Sequence, residues 1–315
     1  MYVCRTCAVP LHCFGRADSL KVTLMAETVS RSAVGSVFSM PDRKHLAILL
    51  AVLSLTAVRV VSQQNFAEQL ESTDLAGLKM RAENGDALAQ FRLGYLYEQG
   101  IGVPRDYRQA AELYRAAAVQ GHSTAANNLA VLYDHGLGVK KDLRNAIEWY
   151  RVSAERGDST GQCNLASVYF SGRGIPRDYN AAMKWFRAAA EHGLPAAQNN
   201  LAYMYYNGIA VSIDYSQAAR WTRSAAEQGY ALAETDLGYL FEQGKGVPLD
   251  YTAAYMWYTL GDSGGDPRAR ARMKSLFSLM LNKQRTEARA RAAAWVPAAA
   301  SRHADAQQSV VAVQH

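Results

Sequence analysis

Between residues 82 and 261 the chain runs through one pattern of apolar and polar positions five times, at an interval of 36 residues. The first copy reads AENGDALAQFRLGYLYEQGIGVPRDYRQAAELYRAA. Within it Ala89, Leu93, Leu96 and Tyr97 fall at i, i+4, i+7 and i+8, the stripe of an amphipathic helix. Gly100 follows, and a helix ends readily on a left-handed glycine. The segment IGVPR reads as a loop. Asp106 then stands just before a second periodic run, Tyr107 to Val119, where a short acceptor side chain can cap free backbone N–H groups. Gly121 closes that run, so each copy predicts helix A, loop, helix B and turn.

The landmarks recur in register. Helix A carries Leu93, Leu129, Leu165, Leu201 and Leu237, followed four residues on by Tyr97, Tyr133, Tyr169, Tyr205 and Phe241. Helix B carries Ala110, Ala146, Ala182, Ala218 and Ala254, and three positions later Leu113, Trp149, Trp185, Trp221 and Trp257, expected as core. Small residues such as Gly94, Ala130 and Gly238 let helices approach. A single helix pair cannot bury its apolar face, so such copies stack into one continuous core.

The motif A-E-x-G-x-x-x-A-x-x-x-L-G/A-x-x-Y, then G-x-G-V-x-x-D-Y-x-x-A-x-x-W-Y/F, resembles the Sel-one-like repeat (SLR) family, a branch of the tetratricopeptide-like helical solenoids. The resemblance covers residues 82–261 and the segment that follows. It implies an all-α, right-handed α-solenoid of five 36-residue helix-turn-helix repeats (82–117, 118–153, 154–189, 190–225, 226–261) plus a C-terminal capping helix pair. It also implies a protein-interaction scaffold. Family members work in envelope signalling, exopolysaccharide control and host contact.

The flanks read differently. Residues 1–39 hold Cys4, Cys7, His12 and Cys13, but no second ligand pair completes a metal site, and they precede the layout of a signal peptide. They read as a non-structural or mis-annotated leader, with the true start at Met40. Arg43, Lys44 and His45, then a 13-residue apolar region over 46–58, then small residues before a cleavage after Ser62 give residues 40–62 that layout. The apolar run is shorter than the ~20 residues of a usual membrane span; an uncleaved anchor is the alternative. Export to the periplasm or outside the cell follows, or anchoring in the inner membrane facing the periplasm. Residues 63–81 are expected to cap the first repeat with Phe66, Leu70, Leu75 and Leu78. Residues 262–297 form the C-terminal cap, with a helix over 269–281 and a basic helix ending near Trp295 and Pro297. Residues 298–315 lack a periodic face and read as a disordered tail.

Charge changes the picture by where it sits. The net +6 of the chain is not spread over the repeats, which carry 16 Lys/Arg against 18 Asp/Glu; residues 262–315 carry nine against four. No basic stripe of the kind nucleic acid requires runs along the array. An acidic partner or anionic lipid at the basic end stays open. A mature chain from Gln63 keeps only Cys163, so it departs from the secreted, disulfide-pinned relatives linked to β-lactam binding. It also lacks the Ser-x-x-Lys of serine β-lactamases.

No catalytic, metal-binding or cofactor-binding set converges. The repeated aspartates are helix caps, the glutamates recur because the repeat does, and His122, His135 and His192 are scattered over turns. Binding is different. Three helix-A columns point about opposite the packed stripe at 100° per residue, where a solenoid lines its concave groove, and their residues vary between copies. The candidates there are Phe91, Tyr95, Asn127, Cys163, Phe170, Asn199, Tyr203, Tyr206 and Tyr239. Aromatic and amide side chains on a groove suit an extended partner segment. The sequence therefore points to a non-enzymatic scaffold or regulator of the bacterial envelope that binds a protein partner. A peptidoglycan- or polysaccharide-associated factor is the alternative, and a β-lactamase-like hydrolase the third reading.

Overall fold

A computed structural model describes residues 75–297. The expected leader (1–39), signal segment (40–62), most of the lead-in (63–74, including Phe66 and Leu70) and the tail (298–315) lie outside the described residues. Within them the chain is all α-helix. A short entry helix, α1 (Leu75–Glu83), precedes five helix pairs. These are α2 (Ala87–Gln99) with α3 (Tyr107–Val119), α4 (Ser123–His135) with α5 (Leu143–Glu155), and α6 (Ser159–Ser171) with α7 (Tyr179–Glu191). Then come α8 (Pro195–Asn207) with α9 (Tyr215–Ala226), and α10 (Ala231–Gln243) with α11 (Tyr251–Ser263). Two further helices, α12 (Pro267–Phe277) and α13 (Asn282–Ala293), both pack on α11 and close the end. From α1 to α12 each helix packs against the next, and the array is an α-solenoid of helix A–helix B repeats.

Local chemistry sets the joints. Every helix A of the five pairs ends on a left-handed glycine, from Gly100 (φ 72°) to Gly244 (φ 61°). In the first pair the N–H groups of Gly100 and Ile101 both donate to Leu96 O. The following loop is clamped by one recurring bond, Asp106 N to Tyr97 O at 2.9 Å and its counterparts at Asp142, Asp178, Asp214 and Asp250. The same aspartates then cap helix B, as Asp106 does for the N–H groups of Arg108 and Gln109. Thus one residue ends the loop and starts the helix.

The leucine and alanine columns are buried as expected, but the tryptophan column is not the centre of the core. Trp149, Trp185 and Trp221 are half-buried and Trp257, under the cap, is buried, whereas the next residue along, Tyr114, Tyr150, Phe186 and Tyr258, is fully enclosed. The reason is geometric. The position four residues after the buried alanine points between the two helices of its own repeat, while the position three after it points at the seam. Trp149 and Trp185 each touch the cores of two successive repeats. The enclosed tyrosines need room: a Cβ on Gly94 would stand 2.9 Å from the Tyr114 ring, and one on Gly238 2.7 Å from that of Tyr258.

The cap also departs from expectation. Its first helix ends at Phe277 rather than Leu281, because Leu276 and Met280 turn inward while Phe277, Leu279 and Leu281 stay outside. At the other end Leu78 of α1 is buried, and Leu75 only partly so.

Candidate interaction face

Helix A in mid-array is surrounded on nearly every side. In α6 all residues from 161 to 168 are buried, and α4 packs directly on α6 as well as on α5. The column that begins at Phe91 therefore faces protein. Asn127, Cys163 and Asn199 are buried, and with them Thr235. This corrects the placement of those three residues on an open groove: a tightly stacked helix A has little free face, so polar side chains there serve the core. Cys163 is fully buried in the core and is in no disulfide. Phe91 itself packs sideways, stacked 4.3 Å from the His122 ring of the next repeat. Burial depresses the His122 pKa below its usual value, against the pull of Asp158.

These buried polar groups form a ladder that periodicity did not reveal. Asn164 Nδ2 donates to Asn127 Oδ1 at 2.8 Å, linking α6 to α4. Gln90, Gln162 and Gln198 each donate to a carbonyl at the end of the preceding helix, Ala82, Ala154 and Ala190, at 3.1–3.2 Å. The recurrence of Gln at one column was the signal available in sequence, since a polar residue repeating inside a packed stripe needs a repeating partner. Asp134 is 1% exposed and takes a bidentate pair from Arg173 of the next repeat (2.6 and 2.9 Å) together with the Tyr150 O–H at 3.4 Å.

Part-exposed candidates remain at Tyr95, Phe170, Tyr203 and Tyr239. In repeats 3 to 5 they belong to one aromatic strip. Phe170 meets Tyr203 edge-on at 6.3 Å, and Tyr239 lies 6.3 Å from Tyr206. Tyr206 is itself buried, so it backs the strip rather than lining it. Two cations border these rings. Lys245 Nζ donates to Tyr206 Oη at 2.7 Å and lies over the Tyr206 and Tyr215 rings, and the Arg272 guanidinium sits 4.5 Å from the Tyr239 ring centroid. Burial raises the phenol pKa of both Tyr206 and Tyr239 above the ordinary value. They stay protonated at neutral pH and act as hydrogen-bonding, polarisable contact surface rather than as bases. At both ends of the array a carboxylate accepts from an enclosed tyrosine, Glu98 from Tyr114 at 2.5 Å and Glu242 from Tyr258.

Among the described residues no group of three metal-ligating side chains converges, and no helix is long and apolar enough to cross a membrane. The arrangement offers packing surface, hydrogen-bond donors and positive charge, the means of holding a partner segment.

Comparison with known proteins follows the same period. The family described as Sel1 repeat matches residues 87–122, 123–158, 159–194, 195–230 and 231–261, a phase that starts with helix A. Among solved structures, c5321, "a protective antigen present in uropathogenic Escherichia coli strains displaying an SLR fold", is 35% identical with a TM-score of 0.61, over 67% of this chain and 46% of that one. The chain thus spans less than half the length of that antigen. A Sel1 repeat protein from Oxalobacter formigenes is 28% identical with a TM-score of 0.61, over 75% of this chain and 93% of that one. A comparison with curated proteins finds no match. Five matched repeats in unbroken succession, on helices that stack as the two solved relatives do, show that this chain belongs to the Sel1 repeat family.

Proposed function

We propose that the protein is a non-enzymatic scaffold that holds a segment of a partner protein on the helix-A side of repeats 3 to 5, in the bacterial cell envelope. Sel1 repeat proteins are generally protein-interaction scaffolds. The observation that carries the finer reading is the strip of Phe170, Tyr203 and Tyr239, part-exposed and bordered by Lys245 and Arg272. Tyrosine gives large contact area at low conformational cost and a polar tip, and aromatic and cationic side chains dominate interface energetics. Lys245 favours a segment carrying a carboxylate, while Arg272 already pairs with Glu242 at 3.8 Å. The envelope placement rests on the signal-like residues 40–62.

Affinity capture from the native envelope tests this, with Tyr203→Ala/Tyr239→Ala as the control. Recovery of one protein should fall about tenfold or more in the double variant while its melting temperature stays close to that of the wild type. Glycan fragments recovered in place of a protein would favour the polysaccharide-associated reading, in which the same tyrosines stack on sugar rings. Equal recovery by both forms would remove the strip from the function.

A further inference from the structure

The apolar run at residues 276–281 is only half used by the core. Leu276 and Met280 are buried, but Phe277, Leu279 and Leu281 are 48%, 63% and 72% exposed. Elsewhere among the described residues, large exposed apolar side chains such as Met80, Leu88, Val119 and Ile213 stand singly, and scattered ones need no explanation. Here three crowd residues 277–281, the last residue of α12 and the four-residue loop into α13.

Cations surround the tip. Lys274 and Lys283 are exposed on either side of it. The Arg285 guanidinium lies 3.7 Å from the Phe277 ring centroid and donates to Phe277 O at 3.1 Å. Of the eight Lys/Arg in residues 267–293, Arg268, Arg270, Arg272 and Arg291 pair with carboxylates, so Lys274, Lys283, Arg285 and Arg289 carry the excess charge. The repeats are slightly acidic, so positive charge is confined to this cap. Three of the four loop residues, Ser278, Leu279 and Leu281, are exposed. Cavities of about 360 and 300 Å³ lie far along the chain in the first two repeats, lined by residues such as Arg108, Val139, Lys79 and Leu113.

We propose that this tip is a membrane-docking element for anionic phospholipid. Phe277, Leu279 and Leu281 enter the boundary between headgroups and acyl chains, and Lys274, Lys283 and Arg285 face the phosphates. Exposed apolar side chains flanked by cations match a surface that is anionic outside and apolar beneath. Apolar burial and attraction to anionic headgroups then act together, each supplying what the other lacks for stable binding.

The test uses the full chain with vesicles of phosphatidylglycerol and phosphatidylcholine, or of phosphatidylcholine alone, and reads lysine acetylation residue by residue by mass spectrometry. This readout localises contact to the cap whatever the leader does. Lys274 and Lys283 should be acetylated about tenfold more slowly on the anionic vesicles, with the exposed Lys140 and Lys184 of the repeats unchanged. Leu279→Ser/Leu281→Ser alters only exposed side chains and should abolish the protection. Protection that is absent, equal on both vesicle types, or retained in the double variant would overturn the proposal; the last outcome would mark purely electrostatic attraction to the vesicle surface without apolar insertion.

Discussion

Helix A and helix B of each repeat have the same length to within a residue, yet they meet the rest of the molecule in different ways. Helix B is one-sided. In α5 the buried positions are Ala146, Ile147, Tyr150, Ser153 and Ala154, and charged side chains such as Arg144 and Glu148 fill the outer face. Helix A is enclosed, as the buried run of α6 shows, and it buries Gln, Asn and Asp beside leucine. An apolar stripe therefore describes helix B well and helix A poorly. In a solenoid this tightly wound, a polar residue on helix A is as much a core residue as the leucine one turn away.

The largest expected effect sharpens that contrast on helix B. Phe186→Ala should cost about 3–5 kcal/mol through the cavity it leaves, whereas Trp185→Ala, at a half-exposed seam, should cost about 1–2 kcal/mol. Urea denaturation of the two variants checks the order; a reversed ranking would return the tryptophan column to the centre of the core.

Next comes the polar core of helix A. Arg173→Ala strands the Asp134 carboxylate in a buried site and should cost about 2–3 kcal/mol, less than a fully buried pair because Arg173 is itself 49% exposed. A loss no greater than about 0.5 kcal/mol would mean that Asp134 behaves as a surface residue, and the contrast between the helices would fail.

The smallest effect is one of pH. Burial raises the Glu98 pKa above the usual glutamate value, against the opposing pull of the Tyr114 hydrogen bond. A carboxyl whose folded pKa is raised contributes stability that is fully present below its unfolded value of about 4.3 and is lost as pH rises through the folded value. Wild-type melting temperature should therefore decline over that interval relative to Glu98→Gln, which keeps an acceptor for Tyr114 without the charge. Parallel profiles for the two proteins would show that Glu98 is no more desolvated than a surface carboxylate.

Much of the architecture was legible because identical problems recur at a fixed interval. The loop needs a left-handed glycine and an aspartate cap in every copy, so Gly100 and Asp106 declared their roles by repetition. The binding face was less legible for the opposite reason. Non-repeating residues at Asn127, Cys163, Asn199 and Tyr206 looked like recognition, but their variation answers differing neighbours inside the stack. Asp134 meets Arg173, while Tyr206, one position in register two repeats later, meets Lys245. A helical wheel drawn for one helix contains no neighbouring repeat, so it could not separate Tyr206 from Tyr203. The cap helix was overrun for a related reason: six residues with a single serine read as one apolar face, and only packing decides which of them the core has room for.

One joint differs from its fellows. In the second, third and fifth repeats the second glycine of the loop lies close against the helix B of the preceding repeat; a Cβ on Gly138 would stand 2.3 Å from the Tyr107 carbonyl carbon, and one on Gly246 1.9 Å from Tyr215 O. The fourth repeat has Ala210 in that place, held at φ 59°, a conformation that costs a non-glycine residue about 1–2 kcal/mol. In a linear array the stability of each seam is set by its own neighbours, so this strain stays local, and Ala210→Gly should relieve it. Under pulling or slow proteolysis the array would part there first. The three leading repeats would separate from the two trailing repeats and their cap, and hydrogen exchange across α7 and α8 should register that break before any other.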